Sequence, residues 1–91
     1  MFYFVYIVEC SDKTLYTGIA TDVKRRIDEH NSSDKGAKYT KARRPVKLLY
    51  SEKLNNRSDA TKREYAIKKL SREKKLQLIK KNYSCWVRLY I

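Results

Sequence analysis

Tyr16, Arg26, His30 and Glu64 are residues of this chain whose types and spacing invite chemistry. Arg26 and His30 stand four apart, so on a helix they share one face. Val23 and Ile27 precede them by three residues each and can anchor that helix to a core. The two polar side chains then sit on the flank of the buried stripe, able to lean over a sheet with their heads in a cleft. An arginine so placed can grip a phosphate with two parallel donors. The plain alternative is a solvated basic helix in which Arg26 pairs with Asp22. Glu64 lies at the edge of a second helical stripe, Ala60, Ile67 and Leu70. A carboxylate leaning toward a core is costly unless it is paired or coordinated. Arg26 or Arg63 could pair with it. So could a divalent cation, because magnesium is often held by one or two protein carboxylates with water and phosphate completing its shell.

A phenol used as a catalyst needs nearby positive charge, because its unperturbed pKa is about 10. Tyr6 and Tyr16, two of eight tyrosines, lie on consecutive predicted strands. Their relative face depends on register. With Asp12-Lys13 alone as the turn they point to opposite sides, whereas an odd-length connection or a bulge brings them to one face.

The elements that must position these groups follow from pattern. Phe2 to Val8 is dense in aromatic and β-branched residues and reads as a strand covered on both faces. Ser11-Asp12-Lys13 supplies a turn, and Thr14 to Ile19 returns as the second strand. Thr21 or Asp22 can cap a helix through Val23, Ile27 and His30. The polar, basic stretch from Asn31 to Pro45 reads as a loop, and Val46 to Tyr50 as a third strand. Ser58-Asp59 opens a helix over Ala60 to Leu70, and Ser71 caps another to about Lys80. The order is ββαβαα, an α+β fold with a three-stranded antiparallel sheet and flanking helices. Residues 1–81 form one domain in this reading. The apolar stretch 82–91 packs on it, with a protein partner or self-association through that tail as the alternative.

Ninety-one residues suffice for one small core. Twenty-two Lys and Arg against ten Asp and Glu give a net charge of +12, a field that draws nucleic acid. Cys10 and Cys85 are too few and too far apart for a disulfide scaffold or a metal knuckle, so both read as reduced thiols of a cytoplasmic protein. The apolar run at residues 2–8 is too short to span a bilayer and lacks the features of a secretory leader, so no membrane role is expected.

Taken together, the spaced residues resemble the GIY-YIG nucleases. Phe4-Val5-Tyr6 stands at the first motif and Tyr16-Thr17-Gly18 at the second. Arg26 lies ten residues past the second motif's tyrosine, and His30 follows one turn later. Arg63-Glu64-Tyr65 matches the segment that bears the metal-binding glutamate. The run from His30 to Leu48 is similar to that of small single-domain bacterial members. The resemblance implies metal-dependent endonuclease chemistry on DNA phosphodiesters with little sequence specificity. Its catalytic residues would be Tyr6, Tyr16, Arg26, His30 and Glu64, with one Mg²⁺ or Mn²⁺ on Glu64. Lys24, Arg25, Asn31, Lys35, Lys38, Lys41, Arg43 and Arg44 would contact the nucleic acid. Ile19 stands where several active members carry a lysine that assists the tyrosine. A nucleic-acid-binding module that keeps the fold without the reaction is therefore the alternative.

Overall fold

The computed structural model describes residues 2–32 and 38–90. Three antiparallel strands, β1 (Tyr3–Glu9), β2 (Leu15–Ala20) and β3 (Lys47–Leu54), form one sheet in the order β2-β1-β3. The first strand is thus central, as its composition predicts. Val5, Ile7, Tyr50, Ala60, Ile67 and Ile79 make one core, on the face covered by α3 (Arg57–Lys68) and α4 (Arg72–Tyr90). Tyr6, Val8, Cys10 and Val46 make a second, against which Val23 and Ile27 of α1 (Val23–Ser32) pack. Each large apolar side chain buried in this way contributes roughly 1.5–3 kcal/mol.

The hairpin decides which side chains share a face. Cys10 N donates to the Thr14 carbonyl at 2.9 Å, leaving Ser11, Asp12 and Lys13 as a three-residue loop with Lys13 at φ 70°. Asp12 Oδ1 accepts from the Thr14 amide (3.1 Å) and hydroxyl (2.6 Å), which fixes the turn. This odd-length connection pairs Tyr6 with Gly18 and Val8 with Tyr16. The two tyrosines are therefore diagonal neighbours on one face.

Some boundaries differ from the sequence reading. Asp22 alone caps α1, its Oδ1 accepting from the Arg25 amide. Part of the expected loop is helical: α1 continues to Ser32, and a short α2 spans Lys38–Lys41. Helix α3 starts at Arg57 because the Asn56 side chain accepts from Asp59 N (2.8 Å) and makes an earlier cap than Ser58. Ser71 caps α4 as expected. That helix runs on to Tyr90, so the backbone of the expected tail continues α4. The packing expected for the tail's side chains lies outside the described residues, as does that of Cys85.

Candidate active site

The hydroxyl end of the Tyr6 ring lies over Gly18. A Cβ built on that glycine would fall 2.6 Å from the Tyr6 hydroxyl oxygen and 2.8 Å from Cζ, so only glycine leaves room there. The hydroxyl meets His30 Nε2 at 2.8 Å, and His30 Nδ1 meets Thr40 Oγ1 at 2.7 Å. All three side chains are buried, Tyr6 at 1% exposure and His30 and Thr40 at 0%. Burial, with Tyr16 and Glu64 adding to it against the Arg26 hydrogen bond, pushes the Tyr6 phenol up to about 12. Burial and the Arg26 charge push His30 down to about 4. These two residues were expected to help activate water. In the structure both side chains are buried and hydrogen-bonded to one another.

Arg26 lies in hydrogen-bonding reach of the Tyr6 hydroxyl, and its Nη1 pairs with Glu29 Oε1 at 3.1 Å. The Glu64 charge, from α3, reaches the Tyr6 phenol only as the weakest of the influences on it. Its partner is Lys68, at 3.5 Å and half exposed. Arg63, the expected competitor for Glu64, turns instead to β3. Its Nε donates to Glu52 Oε2 at 2.9 Å, and the Tyr50 hydroxyl donates to that same oxygen at 2.6 Å. An ion pair with Arg63 therefore does not explain Glu64. The Arg26 and Glu64 side chains keep 28% and 21% of their surface exposed. Tyr16 is half-buried. One guanidinium within hydrogen-bonding reach, with the charges of one acid and one partly open phenol felt beside it, thus act on a buried second phenol. Ile19, the departure from the family pattern, packs with the core beneath α3 and α4, on the opposite face from Tyr16 and Gly18.

The expected nucleic-acid contacts divide. Asn31 clasps the Val46 backbone, Nδ2 donating to its carbonyl (3.1 Å) and Oδ1 accepting from its amide (2.7 Å). Arg43 pairs with Asp12 at 3.0 Å and donates to the Tyr39 carbonyl. Arg44 Nε donates to the His30 carbonyl. In all three the donors brace the protein's own chain. Lys24, Arg25 and Lys41 are exposed. Lys35 and the side chain of Lys38 lie outside the described residues. Tyr39 was missed as a site residue. It stacks on Tyr16 (centroids 5.8 Å, 23°), while the Arg43 guanidinium covers its ring at 4.0 Å. Thr40 was missed as well, because a single threonine in a basic run carries no periodic signal. An open groove of about 570 Å³ beside α1, lined by Phe4, Val23, Ile27 and Leu48 among others, contains none of Tyr6, Tyr16, Arg26 or Glu64.

Residues 2–77 match the GIY-YIG catalytic domain, and the chain belongs to the GIY-YIG family. Its relatives narrow this further. A UPF0213 protein of Desulfotalea psychrophila is 63% identical over 78 residues, covering 86% of this chain and 71% of that one. Another from Syntrophus aciditrophicus is 60% identical over 79 residues, covering 87% and 91%. The solution NMR structure of a UPF0213 protein from Bacillus halodurans matches with TM-score 0.57 at 48% identity, over 88% of this chain and 84% of that one. An NMR structure from E. faecalis matches with TM-score 0.62 at 41% identity, over 91% and 88%. The domain is thus of nuclease type. Among the described residues, no helix is long and apolar enough to cross a membrane.

Proposed function

We propose that this protein is a metal-dependent endonuclease that hydrolyses DNA phosphodiester bonds with little sequence preference. The observation that carries this is Arg26 of α1 within hydrogen-bonding reach of the Tyr6 hydroxyl, with Glu64 of α3 near enough for its charge to be felt there and both charged heads partly open to solvent. A phosphate between a cation and an acid of this kind needs a further positive charge. Glu64 fits a divalent ion, because its present partner is an exposed lysine at 3.5 Å and Mg²⁺ or Mn²⁺ accepts a single carboxylate when phosphate and water complete the shell. No group of three or more His, Cys, Asp or Glu joins it among the described residues. When bound, the ion offsets charge on the phosphate and on the leaving oxygen.

The chain's own residues do the rest. Arg26 binds the phosphate and opposes the charge that grows on it in the transition state. Tyr16, the phenol with an open side, orients the attacking water. Tyr6 stays protonated and holds the Arg26 head in place. Lys24, Arg25 and Lys41 contact the backbone of the nucleic acid.

Supercoiled plasmid incubated with the protein and Mg²⁺ or Mn²⁺, with an EDTA control, tests the reading. Nicking only with metal is expected. Glu64→Gln should abolish it while leaving plasmid binding nearly unchanged, and Arg26→Ala should slow it about a hundredfold or more. Intact plasmid in every lane, or a Glu64→Gln variant as fast as wild type, would overturn the assignment. A second reading rests on Ile19, an apolar residue in the core where active relatives place a lysine. It describes a binding module without catalysis, and plasmid retained but never cut would favour it.

A further inference from the structure

Two consecutive residues of α2, Tyr39 and Thr40, each reach one of the two phenols. Tyr39 lies nearly parallel to Tyr16, with centroids 5.8 Å apart, inside the range in which offset-stacked rings attract. Arg43 lies over the ring of Tyr39, and Asp12 at the hairpin turn holds Arg43 in turn. The Tyr16 ring meets His30 edge-on at 5.5 Å as well, so it is confined from two directions.

Thr40 acts on the other phenol through His30. Arg26 carries only donors, so toward it the Tyr6 oxygen must accept. The Tyr6 O–H is then left to donate to His30 Nε2, and the neutral ring carries its proton on Nδ1, which donates to Thr40 Oγ1. Thr40 Oγ1 therefore accepts the Nδ1 proton and anchors the ring in the orientation that receives the Tyr6 hydroxyl.

We infer that Tyr39 and Thr40 are positioning residues for the nuclease site, Tyr39 setting the plane of Tyr16 and Thr40 anchoring the His30 ring that receives the Tyr6 hydroxyl and leaves its oxygen turned to Arg26. The inference rests on the nuclease reading for its catalytic consequence, but its geometry is testable without cleavage.

Nuclear magnetic resonance of the metal-free protein, with tyrosine rings and histidine nitrogens labelled, reads both contacts directly. Tyr39→Leu should move the Tyr16 ring signals downfield, and Tyr39→Phe should leave them close to wild type. Wild-type His30 should show a protonated Nδ1 and an unprotonated Nε2. Thr40→Val should change that pattern, and Thr40→Ser should restore it. In the plasmid assay, Tyr39→Leu and Thr40→Val should lower kcat about tenfold to a hundredfold with little change in KM, and the conservative variants should recover it. Unmoved Tyr16 signals in Tyr39→Leu, or a wild-type His30 protonated on Nε2, overturns the inference. So does undiminished kcat in the Leu and Val variants of a protein that cuts. A wild-type protein that never cuts defeats the nuclease reading instead, and the resonances still decide whether these residues position the phenols.

Discussion

His30 shows how one residue's chemistry is set by its surroundings. Its position on the helix flank promised a head in a cleft, yet the ring is sealed between Tyr6, Tyr16 and Thr40. Folding therefore requires the neutral ring. The unfolded chain takes up the proton near pH 6.5, whereas the folded one does so only near 4. Between those values the unfolded state binds more protons, so stability falls as pH drops from about 6.5 to about 4. The stabilisation present above pH 6.5, up to about 3 kcal/mol for this group, is lost across that window. Urea unfolding at pH 7 and pH 5 should show the midpoint falling. A His30 ring signal that titrates near 6.5 in the folded protein would refute the sealed site.

At the scale of elements, the site depends on how α1 and the chain after it are tied to the sheet. The three-residue hairpin loop puts both phenols on one face, and the paired Asp12 and Arg43 link that loop to the segment after α2. Asn31 joins the end of α1 to the start of β3 through two bonds to Val46. Asn31→Ala leaves both Val46 backbone groups without that partner, and should cost about 1–3 kcal/mol. Nucleic-acid affinity should stay near wild type once the variant is folded. Chemical denaturation and a binding titration at one salt concentration check the two halves. A variant of unchanged stability with weakened binding would return Asn31 to the interface.

For the molecule as a whole, charge governs encounter. A net charge of +12 favours association with nucleic acid of any sequence. The double variant Lys24→Ala, Arg25→Ala should weaken DNA binding uniformly and flatten its salt dependence by about one unit of slope for each phosphate no longer neutralised. An unchanged slope would place the DNA elsewhere. The central strand, the three helices anchored by Val23, Ala60 and Ser71, and the family's spaced motifs were legible in the linear pattern. Propensity, caps and period are local, and each is written within a few residues. The partners of charged groups were not legible. Arg63 chose Glu52, Arg43 chose Asp12 and Asn31 chose Val46, and those choices depend on distances between elements far apart in the chain. Sequence by itself determined which groups are available for phosphate chemistry and the helices and strands that carry them. Only the tertiary structure decided that Tyr6 and His30 are buried, that Tyr16 keeps an open side, and that Arg26 reaches the Tyr6 hydroxyl, because desolvation and hydrogen-bond geometry exist only once the sheet and its helices have packed.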